Sequence, residues 1–422
     1  MSGILITERK NPLSMIRTII SKIKPMRIGN VLRIDPQFFF DVAIYHFSRI
    51  FRGDVDDKLI ILGGANGYAF IGNTKYLYKY LKENTDYKLY YMVKSKELQK
   101  DLENKGIDTL FAYSLDAIKK LKKARAIFVT HGYFDILPVR LSPRTIAIQT
   151  WHGADIKIIG NHPYMTKYIK SKRSILAGVR LREADFFDFI LTPSAAEKPR
   201  KIIQEVFKFP PERILSIGYP RNDILFPNSP NLTNDLKKKH NIPEGIEKVF
   251  LYAPTYREIF TTKEPFNSED LIKLNKTCKK FNAVLLLKTH INEEVISLKT
   301  LERIYVVDKK ADIQELLLIS DILITDYSSV YCDYLLLKRP ILLYVYDYEE
   351  YIDQRGIYYD GLDEIAPGPL LYTVDELIEA IENIGEIKKK FAQKARELTD
   401  YFNKYKDGNS SERLLRLLKL IH

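Results

Sequence analysis

Short apolar runs alternate with amphipathic stretches along most of this chain. Residues 58–62, 87–93, 126–130, 144–149 and 189–191 are brief runs rich in aliphatic and aromatic residues, and each reads as a buried strand. Between them, residues 73–84 and 115–124 place apolar side chains at the helical period. A second series begins at 248–252 and continues through 283–287, 304–307, 322–324 and 341–345, with helices between. This rhythm predicts two doubly wound α/β domains, each on a parallel sheet. The Pro- and Asn-rich stretch 218–231 reads as the exit from the first domain and a linker. Charged amphipathic helices close the chain from residue 373, the last of them expected to cross back to the first domain. The expected divisions are 1–57 for a basic N-terminal segment, 58–225 and 226–400 for the two domains, and 401–422 for the final helix.

Parallel sheets of this kind bind ligands beyond the carboxyl ends of their strands, so residues just after strands are the candidates for chemistry. The strand at 322–324 ends at Thr325, and from Ser328 the apolar spacing turns helical through Val330, Tyr331, Tyr334, Leu335 and Leu337. Ser328 or Ser329 is placed to cap the first turn. Backbone N–H groups and the positive helix end suit a phosphate there, and the hydroxyls of Thr325, Ser328 and Ser329 add donors. Taken alone, the loop is equally well read as a helix cap. Asp333, one turn on, is a carboxylate to orient these groups or meet a ribose, or an ordinary helix carboxylate.

Three more strand ends carry reactive side chains. Trp151-His152-Gly153 follows 144–149, and a histidine there can take a proton from an attacking hydroxyl near neutral pH. The plain alternative is a histidine hydrogen-bonded in its loop. His131 repeats the arrangement after 126–130 and is expected in a supporting role. Lys288-Thr289-His290 puts a cation and an imidazole after 283–287. After 248–252, Thr255 offers a donor and Arg257 a bidentate phosphate ligand, or a surface pair with Glu258 of little energetic weight.

Composition narrows the partners. At 422 residues the chain is too long for one ordinary core. Its net charge of +12 points to an anionic partner: a nucleotide diphosphate, a polyanionic polymer, a nucleic acid or an acidic lipid. The cations are dispersed and no nucleic-acid-binding motif is present, which makes nucleic acid the weakest of these. With no membrane-spanning apolar run and no signal peptide, a cytoplasmic protein is expected. Cys278 and Cys332 lack the spacing of a disulfide framework or a zinc site, and no carboxylate cluster asks for a catalytic metal. Between residues 9 and 33, seven cations, Arg9 and Arg33 the outermost, alternate with Ile16, Ile19, Ile20, Ile23 and Met26. Such a stretch reads either as an amphipathic element on an anionic membrane face or as a solvated helix packed on the body.

Together the motifs resemble the CDP-glycerol glycerophosphotransferase family, the teichoic acid primases and polymerases with a GT-B-like fold. The resemblance rests on Trp151-His152-Gly153 with Lys157 and Gly160, on Gly218-Tyr219-Pro220-Arg221-Asn222-Asp223, and on Tyr252 to Arg257. It rests further on Lys288-Thr289-His290, on Thr325 to Asp333 followed by Lys338-Arg339-Pro340, and on Asp407 to Arg413. It implies two Rossmann-type domains facing a central cleft, acceptor side first and CDP-donor side second. It implies transfer of a polyol phosphate from CDP-glycerol to a hydroxyl of a lipid-linked or cell-surface glycan acceptor, with release of CMP and no cofactor. His152 and His290 would be catalytic; Arg257, Thr255, Lys288, Thr325, Ser328 and Ser329 would hold the diphosphate. His131, Asp155, Lys157, Arg221 and Asp333 would support them. The family's His-Gly-Thr-Pro-Leu-Lys is replaced in this chain by His152-Gly153-Ala154-Asp155-Ile156-Lys157, which alters the acceptor side. Peripheral attachment at the inner face of the cell membrane is expected by the same resemblance. A GT-B glycosyltransferase using a nucleotide sugar, and a non-catalytic polyanion- or membrane-binding protein, are the alternative readings.

Overall fold

The computed structural model describes residues 26–28, 32–34, 43–51, 53–154, 156–158, 183–227, 229–255, 264–288, 301–308 and 310–422. Asp155, Arg257, His290 and the amphipathic stretch before residue 26 lie outside the described residues. Two compact units are present, the first within Met1–His152 and Ile169–Ile190, the second within Gly153–Tyr168 and Leu191–His422.

The first unit opens with a short antiparallel pair, β1 (Met26–Ile28) and β2 (Leu32–Ile34). Its sheet uses β3 (Asp56–Gly63), β4 (Lys88–Val93), β5 (Thr109–Phe111), β6 (Ala124–Val129), β7 (Ile146–Gln149) and β8 (Phe189–Thr192). They lie in the order β5-β4-β3-β6-β7-β8, with the short β9 (Ile214–Ser216) next to β8 as the seventh strand, and the pairings from β5 to β8 are parallel. The centre, Ile60 to Leu62 and Ala126 to Val129, is fully buried because a parallel sheet is covered on both faces. Helices Gly72–Asn84, Lys96–Asn104 and Leu115–Lys123 make the crossovers, and Ser95 and Ser114 cap the latter two by accepting from Leu98 N and Ala117 N. At three residues, β5 is too short to show a periodicity.

In the second unit the sheet is formed by β10 (Lys248–Tyr252), β11 (Ala283–Leu287), β12 (Ile304–Val306), β13 (Ile322–Thr325), β14 (Ile341–Tyr344) and β15 (Leu370–Leu371). The order is β12-β11-β10-β13-β14-β15, again parallel. Alternation along the strands divides two cores. Val249, Leu251, Val284, Leu286, Leu323 and Leu343 fill one face, while Phe250, Tyr252, Leu285, Leu287, Ile324 and Tyr344 fill the other. A strand order that steps outward in both directions from β10 and β13 brings their carboxyl ends together at the switch point, where such sheets hold ligands.

The division by contacts falls after Ile190, inside β8, while β8 and β9 keep their places in the first sheet. One expectation changes: 218–231 is no loose linker, because Pro220–Leu225 forms a 3-10 turn with Pro220, Arg221, Asn222 and Leu225 buried. Polar side chains cause this, since Arg221 and Asn222 bond Asp333, and Asp223 bonds the start of helix Ser410–Leu417. That final helix is tied to residues of the expected first domain, since Ser410 N and Ser411 N donate to Asp223 and Arg413 donates to Ile217 O at 3.0 Å.

Candidate active site

In the first unit, β6 and β7 end side by side and deliver His131 and His152. After Gln149 the chain turns sharply: Trp151 has φ of +55°, a left-handed conformation that costs a bulky residue roughly 1–2 kcal/mol. Asn73, buried at the start of its helix, holds the turn by donating from Nδ2 to Thr150 O at 3.0 Å and Trp151 O at 2.8 Å. Trp151 N–H donates to Gln149 Oε1 at 3.1 Å. The exposed His152 that follows bonds through Nδ1 to Thr130 O at 3.1 Å. A carbonyl can only accept, so Nδ1 carries the proton and Nε2 the lone pair. That is the tautomer a general base requires.

The β6 turn is organised by Asp135, a fully buried carboxylate that the sequence does not single out. Its Oδ2 accepts from Thr130 N at 2.6 Å, His131 N at 2.7 Å and Thr130 Oγ1 at 3.1 Å; its Oδ1 accepts from Asn66 N at 2.6 Å. Because the Thr130 hydroxyl donates to that carboxylate, at 2.7 Å it accepts from His131 Nδ1–H. The His131 ring stacks on His152 with centroids 4.1 Å apart and planes 8° from parallel, and the Trp151 ring lies 4.0 Å from His152 on a tilt. Burial lowers the His131 pKa below its usual value against the opposing pull of Asp135. His131 is thereby kept neutral.

In the second unit, the loop after β13 is built by Asp326. Its buried Oδ1 accepts from Ser328 N at 3.1 Å and from Thr255 N, at the end of β10, at 2.8 Å. One carboxylate oxygen thus ties two strand-end loops together. Tyr327 turns inward, stacks on Tyr351 at 3.9 Å and donates to Asp347 Oδ1 at 3.2 Å, which leaves Ser328 and Ser329 half-buried at the rim. Neither serine caps in the expected manner: Ser329 precedes the helix Val330–Tyr334 without a side-chain cap, and Ser328 Oγ accepts from Val330 N at a long 3.5 Å. Gly153 lies close by, where a Cβ would come within 3.1 Å of Ser329 Oγ, and its carbonyl accepts from Tyr219 OH at 2.8 Å. The segment continues beside residues 356–358, with Lys157 bridged antiparallel to Ile357. Lys288, half-buried after β11, donates from Nζ to Asp308 O at 3.2 Å; burial lowers its pKa while Asp308 and Asp312 oppose.

Two expected contacts, those of Thr325 and Asp333 with a ligand, are corrected. Thr325 is fully buried and its hydroxyl donates to Ala253 O at 2.7 Å, so it joins neighbouring strands instead of facing a ligand. Asp333 does not meet a ribose: both its oxygens are buried, accepting from Arg221 Nε at 2.8 Å, Asn222 Nδ2 at 3.0 Å and Gln314 Nε2 at 3.2 Å. Arg221 is correspondingly internal, stacked 4.6 Å over the Tyr219 ring. Burial disfavours its charge, yet Asp333 outweighs that and raises its pKa. The pair anchors the helix behind the Ser328-Ser329 loop.

Comparison with known proteins shows the family of the chain. The family described as CDP-Glycerol:Poly(glycerophosphate) glycerophosphotransferase matches residues 44–420. The chain is 35% identical to a teichoic acid poly(glycerol phosphate) polymerase of Bacillus spizizenii, over 86% of this chain and 92% of that protein. It is 30% identical to a teichoic acid glycerol-phosphate transferase of Staphylococcus aureus, over 89% and 96%. The wall teichoic acid polymerase TagF has the same fold, with a TM-score of 0.75 at 24% identity over 91% of this chain and 94% of that one. The chain belongs to the CDP-glycerol:poly(glycerophosphate) glycerophosphotransferase family.

Proposed function

We propose that this protein transfers glycerol phosphate from CDP-glycerol to a hydroxyl of a teichoic-acid-like acceptor. The observation that carries the reading is the His152 tautomer, protonated on Nδ1 toward Thr130 O. In the reaction, His152 Nε2 takes the acceptor hydroxyl proton as the acceptor oxygen bonds to the β-phosphorus. The β-phosphorus–oxygen bond to CMP breaks, and CMP leaves with the bridging oxygen and its electron pair. The product is a phosphodiester. On the donor side, the reading assigns the diphosphate to Ser328 and Ser329, on the loop shaped by Asp326, with Thr255, Lys288, Arg257 and His290 completing the set. Positioning and charge stabilisation supply most of the rate in phosphoryl transfer.

The test is CMP release with acceptor present. CDP-glycerol is expected to turn over, UDP-sugars are not, and His152→Ala should lower kcat by ~10²- to 10⁴-fold, the usual worth of a general base. Turnover of a UDP-sugar alone would favour the glycosyltransferase reading and overturn this one.

We infer also that the protein works at an anionic membrane surface. Among the described residues no helix is long and apolar enough to cross a membrane. In the first unit, Phe47 and Ile50 are 40% and 68% exposed beside Arg49, on a 3-10 turn (Ser48–Ile50) held by Arg140 N donating to Ser48 Oγ at 3.0 Å. Apolar side chains among cations suit a lipid interface. Flotation with phosphatidylglycerol vesicles should carry the protein up, and Phe47→Ser/Ile50→Ser should reduce that fraction severalfold. Equal flotation of the variant would remove this turn from the account.

A further inference from the structure

The cluster at the ends of β6 and β7 holds more than a lone base requires. The bond from His152 Nδ1 to Thr130 O fixes the tautomer, and the plane of the exposed ring is set by what lies against its faces. One of these neighbours is His131, lying flat at 4.1 Å and 8°. His131 is itself held at two points, by N–H donation to Asp135 Oδ2 at 2.7 Å and by the 2.7 Å bond between Nδ1 and Thr130 Oγ1. Asp135 also takes the N–H of Thr130, the residue whose carbonyl receives the His152 proton. A single buried carboxylate therefore sets both the acceptor that fixes the His152 tautomer and the ring that fixes its plane.

We propose that His131 is a positioning residue for His152, and that Asp135 is the anchor through which the β6 turn holds the base in its reactive orientation. This rests on the reading of His152 as the base. The physical need is plain: proton transfer demands the Nε2 lone pair aimed at the hydroxyl, and a misplacement of about 1 Å can cost ~10²-fold in rate. Three charged or titratable groups near the pair are seen among the described residues. Asp135 lies 3.8 Å from His131 Nδ1, Tyr91 is near Asp135, and Lys94 donates from Nζ to Phe134 O within the same turn.

The experiment compares the full chain with His131→Ala, His131→Phe and Asp135→Asn, reading CMP release and, separately, ¹⁵N spectra of histidine-labelled protein. His131→Ala should lower kcat roughly 10- to 100-fold with KM for CDP-glycerol within about twofold, as expected when orientation and not binding is lost. Its acid limb should move to higher pH, since water reaching the bared face of His152 stabilises the imidazolium. His131→Phe keeps a flat ring and should recover most of the rate. The spectra should show His152 as one Nδ1–H tautomer in the parent and as a mixture in His131→Ala and Asp135→Asn. An unchanged pH profile and tautomer in His131→Ala would overturn the proposal, as would a raised KM with kcat intact. Should His131→Ala fail to fold, His131→Gln carries the same comparison. If His152→Ala were fully active the functional reading would fall, while the spectra would still decide whether His131 and Asp135 position His152.

Discussion

At the residue scale, the polar groups that build the candidate site are mostly not the ones that would touch substrate. Asp135, Asn73 and Asp326 each bind backbone groups far along the chain, with separations of 69, 78 and 71 residues to Asn66, Trp151 and Thr255. Nothing local distinguishes such a carboxylate or amide from a solvated one, which is why the strand-end histidines and serines are legible in the sequence and their supports are not. One signal is present for Asp135: it falls four residues after His131, within reach of the strand-end amides. The same blindness explains Arg221 and Asp333. In sequence both are ordinary polar residues in a family motif; in the structure they form a buried pair at 2.8 Å. Removing one partner of such a pair leaves an uncompensated buried charge, costing ~3–5 kcal/mol. Arg221→Met should therefore shift the urea midpoint markedly, with part of the loss recovered in Arg221→Met/Asp333→Leu. A single variant as stable as the parent would contradict this account of the motif.

At the element scale, the central strands are legible because continuous β-branched and aliphatic runs such as 283–287 have few other meanings. The peripheral strands β5, β9 and β15, two or three residues each, carry no periodicity to read. The 218–231 stretch misleads for a different reason: Pro and Asn signal a turn without saying whether the turn is buried. Asp223 shows what holds it. Its carboxylate accepts from Ser410 N at 2.8 Å and Ser411 N at 2.9 Å, capping the final helix from outside. Burial nevertheless raises its pKa from 3.8 to about 6, against the lowering effect of those bonds. The folded state thus favours the proton more than the unfolded chain does. The stabilisation is fully present below the unfolded value and is lost as pH rises through about 6. Asp223→Asn cannot titrate, so the stability difference between parent and variant should drift against the parent between pH 4 and 7, as read by chemical denaturation. A difference independent of pH would contradict an upward shift of this carboxyl.

At the scale of the whole molecule, two parallel sheets each offer one strand-end site, and the chemistry of each is distinct. The first unit provides an imidazole held through Nδ1 by Thr130 O; the second provides a hydroxyl loop tied by Asp326 to the end of β10. The chain leaves the first unit at His152 and enters the second at Gly153, so one short motif contributes to both. Fold class and domain count follow from pattern alone, since a repeating strand–helix rhythm over 422 residues admits few architectures. Packing of residues 191–225 and the closing helix does not follow, because it is decided by polar contacts such as that between Asp223 and Ser410, 187 residues apart.

The most direct measurement follows the β-phosphorus itself. CDP-glycerol labelled at that atom is incubated with the protein and a lipid-linked teichoic acid primer, and the label is located after the reaction. The account predicts that the β-phosphorus appears in a phosphodiester of the acceptor, that unlabelled CMP is released in equal amount, and that His152→Ala slows both by ~10²- to 10⁴-fold. Label recovered as free glycerol phosphate with the acceptor unchanged, or transfer undiminished in His152→Ala, would contradict it.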